Sequence, residues 1–315
     1  MRRCPLALAA LSLLLAAPAA RAQPAAPQGW ALDRFEPAPA GDPFFLAEHP
    51  WYSSTRILAA ALVLEHALSP LALRREYADG TVREDAIVSG MLVGHLLAAG
   101  SYLDRVGLHA SLPVSLSQSG APDPTMATHL GPAPSVALGD LRLGARIRVY
   151  GHSDADPFSL HVGAVLWLQT GSQDDNTGDR EARFELRAAT AGRIGVLRWA
   201  FGLAYASRAD VDIGNLRLGD ELRLTAGVGA SLLRERLHVG VETAIQTSVR
   251  ALPPSQGGGS AAFTRDAWGG EALAGARYAV IAGVSVGAAA GFGFEQAGGT
   301  PAGRLVFSAQ WAPAR

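Results

Sequence analysis

The sequence predicts an all-β fold, a closed antiparallel transmembrane β-barrel of about twelve strands. Three observations lead there. About twelve runs alternate apolar and mixed residues, each near the ~10-residue segments of membrane barrels. The connections between runs alternate short and long, as periplasmic turns and extracellular loops do. The apolar faces carry almost no charge, and a charge facing lipid at the bilayer midplane costs about 2–4 kcal/mol. A soluble sandwich fits less well, because soluble strands usually run ~5–6 residues.

The first 22 residues have the form of a secretory signal peptide. Arg2 and Arg3 form the positive region, Leu6 to Ala17 the apolar region, and Ala20-Arg21-Ala22 the cleavage site. The apolar run is shorter than the ~20 residues of a membrane span. Cys4 falls inside this peptide, so the exported chain is expected to lack a thiol, and with it disulfides and Cys-based metal sites. Residues 23–52 are rich in Pro, Ala and Gly and read as a periplasmic lead-in. Its aromatics, Trp30, Phe35, Phe44 and Phe45, are expected to pack against the barrel rim. The barrel is assigned to residues 53–315.

A first apolar run, Thr55 to His66, has an unclear phase. Ala86 to Ala99 follows, then Val106 to Gln118, where Leu108, Ala110, Leu112 and Val114 alternate with His109, Ser111, Pro113 and Ser115. The clearest hairpin is Leu138 to Gly171. There Leu141, Leu143, Ala145, Ile147 and Val149 alternate with Arg142, Gly144, Arg146, Arg148 and Tyr150, and Phe158 to Gln169 repeats the pattern behind a polar turn. Further runs cover Ala182 to Ala191, Val196 to Ala206, Glu221 to Leu233, Leu237 to Val249, Trp268 to Val280, Val284 to Phe294 and Ala302 to Trp311. Leu68 to Asp85, Ser119 to Val136, Gly171 to Arg180, Ser207 to Asp220, Arg250 to Ala267 and Glu295 to Pro301 are expected to be the loops. Trp199, Tyr205, Tyr278, Phe292, Phe294 and Trp311 fall on outward faces, where aromatic side chains form interfacial girdles.

The chain has 27 basic and 28 acidic residues, and charged residues make up only 17% of it. This balance argues against a nucleic-acid partner, which calls for a basic stripe.

Several segments resemble the barrel region of OmpA-like outer-membrane proteins. They are LGDLRLG at Leu138 to Gly144, VLWLQTG at Val165 to Gly171, Asn176 to Asp179, ADGTVREDAIV at Ala78 to Val88, the LHASLPVSL run, and the closing LVFSAQWAP. The resemblance implies an outer-membrane barrel, inserted by barrel-assembly machinery and surrounded by outer-membrane lipid. In that family a peptidoglycan-binding domain often follows the barrel. No such domain follows Trp311 in this sequence, so peptidoglycan binding is not carried over.

The inward face is the expected functional surface. By phase it collects Arg142, Arg146, Arg148, Arg183, Arg187, Arg198, Arg223, Arg277 and Arg304, with Glu185, Glu221, Glu242 and Glu271. Two readings stay open. An arginine-lined eyelet passes small solutes, anions preferred; or cross-strand Arg/Glu pairs plug the lumen of a structural or surface-interaction barrel. About twelve strands lie between the ~8-strand barrels filled by side chains and the 16-strand open channels. No enzyme is expected. G-x-S-x-G is absent, and the inward His95, His109, His161 and His238 lack metal-ligand spacing. The Gly171 to Asp179 loop is oxygen-rich but lacks EF-hand spacing and a closing Glu, so it reads as a polar loop. Gly257 to Ser260 reads as a flexible loop tip. No metal or cofactor is expected.

Overall fold

Alternation at period two makes every long run a strand with one face to the lumen and one to the outside, and closing the sheet pairs every edge. The computed structural model describes residues 30–76, 79–122, 131–133, 136–152, 155–213, 216–249, 267–295 and 299–314. The signal peptide and the Gly257 to Ser260 tip lie outside them. Twelve strands form the barrel. In chain order they are β1 (Leu58–Glu76), β2 (Val82–Tyr102), β3 (Val106–Gly120), β5 (Leu141–Tyr150), β6 (Ser159–Leu168), β7 (Arg183–Ile194), β8 (Leu197–Ser207), β11 (Glu221–Leu232), β12 (Leu237–Ser248), β13 (Trp268–Ile281), β14 (Val284–Glu295) and β15 (Gly303–Trp311). Each pairs antiparallel with the next, and β1 closes on β15 from Ala60↔Trp311 to Leu68↔Gly303.

Three short strands complete the set. β4 (Ala137–Leu138) pairs with β3 beyond an interruption at Gly139–Asp140, and β9 (Val211–Ile213) with β10 (Leu216–Leu218) makes a small hairpin in the β8–β11 loop. The stretch Leu68 to Asp85, expected as a loop, is largely strand. β1 and β2 stay paired to Glu76↔Val82 past an irregularity at Leu68–Leu71. There Ser69 has a φ of 48° and Pro70 follows, so the ladder breaks once and resumes.

The outer surface follows the alternation. Leu143, Ile147, Val149, Val162, Leu166, Leu186, Phe201 and Leu203 are exposed. The six expected girdle aromatics all point outward, with Trp199 half-buried beside Phe158. They form two rows. Trp199, Tyr278 and Trp311 lie near the short turns; Tyr205, Phe292 and Phe294 lie near the loops. Tyr278 pairs with Val286, and Phe294 is eight residues further along that strand. At ~3.4 Å per residue this is roughly 27 Å before tilt, matching a ~25 Å apolar band.

Residues 30–52 lie inside this barrel. The position ahead of the barrel, with aromatics at its rim, is therefore not the arrangement found. Trp30, Phe35, Phe44 and Phe45, together with Leu32, Trp51 and Tyr52, are each at most 4% exposed. The reason is volume. A twelve-strand lumen is too wide for its own side chains to fill, so a further piece of chain takes the space.

Candidate functional site: the occupied lumen

The segment crosses the lumen from one mouth to the other. At the loop mouth, Asn176 O accepts a hydrogen bond from the Leu32 amide (3.0 Å), and Asp179 Oδ1 accepts one from the Ala31 amide (3.2 Å). At the turn mouth, His49 Nε2 lies 3.2 Å from Gly192 O, and the Ser54 amide donates to Asp104 Oδ1 (2.8 Å). In between, the chain folds on itself. The Asp42 amide donates to Pro39 O, closing a four-residue turn, and the Ala38 amide donates to Phe45 O. Gly41 takes the third turn position with a φ of 93°, where glycine is favoured. A Cβ there would also come 2.4 Å from Trp51 Nε1, so glycine is required twice over.

The wall holds this plug with charge. Glu242 accepts from three consecutive plug amides, Phe45, Leu46 and Ala47, at 2.7, 2.6 and 2.9 Å. Arg277 donates to Pro43 O (3.0 Å) and Phe44 O (3.2 Å), Arg142 to Pro37 O (3.2 Å), and Arg223 to Arg34 O (2.7 Å). Carboxylates of the plug meet the remaining arginines. Glu36 pairs with Arg142 and Arg223. Asp42 and Glu48 each lie 3.4 Å from Arg146, and Glu48 also pairs with Arg187. Asp33 lies 3.5 Å from Arg304. Three wall arginines also stack on plug rings: Arg148 over Tyr52 (4.2 Å), Arg277 over Phe45 (4.1 Å) and Arg304 over Phe35 (4.9 Å).

Nine of the thirteen expected inward residues, Arg142, Arg146, Arg148, Arg187, Glu221, Arg223, Glu242, Arg277 and Arg304, thus touch the plug, Glu221 through Arg34; Glu271 lies on Arg304, and Arg198 donates to Ser231 Oγ (2.9 Å). Glu185 sits behind them on Arg187. Arg183 binds Asp179 (2.7 Å) at the loop mouth and lies over the Trp167 ring. They form a continuous lining rather than one narrow ring. The alternation along the sequence does not reveal Glu65, Arg34, Arg208, or the plug carboxylates. Arg208, in a loop, pairs with Asp179 and with Glu221 (3.1 Å). The available signal was electrostatic. Among the described residues, the inward strand arginines outnumber the inward strand glutamates (65, 185, 221, 242, 271). The plug brings four carboxylates (Asp33, Glu36, Asp42, Glu48) and one arginine, Arg34.

Two cavities beside the plug measure about 40 and 50 Å³. They are lined by Glu36, Glu48, Arg142 and Arg187, and by Asp33, His95 and Arg142, respectively. Each has room for a few waters at most. A wider vestibule of about 250 Å³ opens at the turn mouth, bordered by His49, Trp51, Arg198, His238 and Arg277.

One inward histidine, His161, ties wall to plug. It bridges Ser159 Oγ, at 2.8 Å from Nε2, to the Tyr52 hydroxyl. Ser159 donates to Ala191 O (2.9 Å), and both ring nitrogens of His161 are taken by hydroxyls rather than by a carboxylate. The Gly171 to Asp179 loop is folded rather than ligand-ready. Asn176 Nδ2 donates to Gln118 Oε1 (3.0 Å) and Gly131 O (2.8 Å), and Asp179 is committed to arginines.

No family model matches this chain, and no curated protein matches it. Among solved structures, the chain is similar to an outer membrane channel from Pseudomonas putida F1, with a TM-score of 0.57 and 16% identity over 82% of this chain and 95% of that one. Weaker likenesses include the KdgM porin in complex with disordered oligogalacturonate (TM-score 0.46, 12% identity, 80% and 98% covered) and the NanC porin (0.46, 8%, 80% and 98%). At such identities the first likeness is one of fold, and the other two carry no argument. The molecule has the fold of an outer-membrane β-barrel.

Proposed function

We propose that this protein is a passive outer-membrane pore for small solutes, with a preference for anions, and that residues 30–52 hold it shut. The observation that carries this reading is the charge complementarity of plug and wall. Among the described residues the wall has more arginines than glutamates, and the plug answers with carboxylates placed where an anionic solute would bind. The plug is one covalent arm entering ahead of β1, held mostly by side-chain contacts and not by strand pairing, so it can leave without opening the barrel. With the plug displaced, the wall keeps its excess positive charge, which favours anions. The lumen contacts serve docking and not chemistry, which supports a non-enzymatic role. The loops face the outside of the cell and the short turns the periplasm. The OmpA-like resemblance is extended only as far as the barrel, since twelve strands exceed the eight of OmpA-type barrels.

A second reading, a structural or surface-interaction barrel, is favoured by the depth of the plug's burial. Planar-bilayer conductance of the refolded full chain separates the two. A Cβ added at Gly227 would meet the Ala47 Cβ at 3.0 Å, near the ~3.5–4.5 Å of a disulfide. The double variant Ala47→Cys with Gly227→Cys is expected to be silent when oxidised and to show wild-type openings after reduction. Absence of single-channel steps from both wild type and reduced variant would sink the pore reading. Replacing Arg146 and Arg148 by Glu should turn anion preference into cation preference; unchanged selectivity would remove these arginines from the permeation path.

A further inference from the structure

Beside Arg304, three side chains from three parts of the chain converge, two of them with a buried coordinating atom that has no hydrogen-bond partner. They are Asp33 of the plug, Glu65 of β1 and His95 of β2. One donor atom from each lies within 4.8 Å of the other two. Atoms that close share a centre no more than about 2.8 Å from each, so shifts of ~0.7 Å reach the ~2.0–2.2 Å of a metal bond. Glu65 and His95 are 1% and 2% exposed. Glu65 Oε1 and His95 Nε2 have no hydrogen-bond partner, and Asp33 Oδ2 is 3.6 Å from that imidazole nitrogen. Leaving such buried polar atoms unsatisfied is costly, and a ligand that takes their lone pairs removes the cost.

The surroundings prepare the site. The second oxygen of each carboxylate is already held. Glu65 Oε2 binds Arg304, while Asp33 Oδ1 accepts from the Phe35 amide (2.9 Å) and lies 3.5 Å from Arg304. Arg304 also binds Glu271 (2.8 Å), so one arginine faces three carboxylates. Arg142, also near His95, is engaged with Glu36 and Pro37 O. Three carboxylates thus share one arginine in a dry pocket, and a divalent cation matches that excess of negative charge. A donor set of one imidazole and two carboxylates suits a borderline ion such as Zn²⁺ over Mg²⁺ or Ca²⁺, which take oxygen ligands only.

We propose that Asp33, Glu65 and His95 form a binding site for a divalent transition-metal ion, which staples the N-terminal segment to β1 and β2 inside the lumen. The inference stands whether or not the lumen conducts.

The test is metal content of the refolded full chain, loaded with Zn²⁺, dialysed and read by mass spectrometry, with heat-modifiable gel migration verifying the barrel. One tightly held zinc per chain is expected, retained against excess Mg²⁺ or Ca²⁺. His95→Ala and the near-isosteric Glu65→Gln and Asp33→Asn should each lower Zn²⁺ affinity at least ~10-fold. They should also raise protease cleavage within residues 30–52 in the presence of zinc. His152→Ala, at an exposed histidine, should leave binding unchanged and so controls for surface sites. Zinc uptake that is absent in the wild type, equal in all three ligand variants, or displaced by Ca²⁺ overturns the assignment.

Discussion

The two halves of the lumen wall grip the same segment by different physics. From β5 to β11 the inner face is ionic. Arg142, Arg146, Arg187 and Arg223 meet Glu36, Asp42 and Glu48. From β12 around to β2 the charged Glu65, Glu242, Glu271, Arg277 and Arg304 share the inner face with a broad apolar patch. Ala59, Val63, Leu97, Ala99, Ala244, Leu273, Ala289 and Val306 form one cluster with Phe35, Phe45, Leu46 and Trp51 of the plug. The ionic half offers contacts that water or an anion can replace at modest cost, because charges and hydrogen bonds have alternatives in solution. The apolar half has no such alternative, since exposing it costs roughly 25 cal/mol per Å². The difference suggests a division of labour, with the apolar half anchoring the plug and the ionic half deciding what competes with it.

The largest effect should come from the anchor. Phe45 packs so closely that a Cβ at Gly275 or Gly287 would approach its ring to 2.8 or 3.0 Å. Phe45→Ala is expected to weaken docking by about 3–5 kcal/mol, the usual cost of emptying a buried phenylalanine site. Limited proteolysis within residues 30–52 reads this directly, and unchanged protection would mean that the apolar half is not the anchor.

Glu48→Gln should act less strongly, on the ionic half. It strips one partner from both Arg146 and Arg187, but Asp42 and Glu185 remain on them. About 1–3 kcal/mol of docking is expected to be lost, below the ~3–5 kcal/mol of a fully broken buried pair. Opening in bilayers should become more frequent and more sensitive to anion concentration. An effect larger than that of Phe45→Ala would reverse the comparison.

The smallest effect lies at the turn mouth. Asp104 accepts from the Ser54 amide and from Arg148 Nη2 (3.0 Å), fixing the point where the plug turns into β1. Partial burial pulls its carboxyl up, but these hydrogen bonds outweigh that and hold it below the ordinary aspartate value. Its contribution is therefore fully present above the ordinary range near pH ~4 and is lost as pH falls through the lowered value. The side chain is 40% exposed, so solvent screening limits Asp104→Asn to at most ~1 kcal/mol. A pH titration of gel migration should move slightly in wild type and not in the variant. An equal shift in both would assign it elsewhere.

The barrel was legible because it is a local property. Period-two alternation in Leu141 to Tyr150 assigns each side chain to one of two faces whatever the rest of the chain does, and the same rule placed the inward arginines and the outward aromatics. The unclear phase of Thr55 to His66 was itself a trace of the plug. In β1 both faces are mainly apolar, with Leu62 and Leu64 outward and Ala59 and Val63 inward against plug aromatics, Glu65 being the charged inward exception. No rule of alternation gives an apolar lumen face a reason, because the reason is a segment far away in space and irregular in backbone.

The sequence by itself determined the strand count, the side each residue faces, and the surplus of arginine inside, since these follow from spacing and composition. Only the tertiary structure decided that residues 30–52 fill the lumen, which carboxylate answers which arginine, and that Asp33 meets Glu65 and His95. A segment without periodicity is placed by the volume and charge of its surroundings, and those exist only once the barrel has closed.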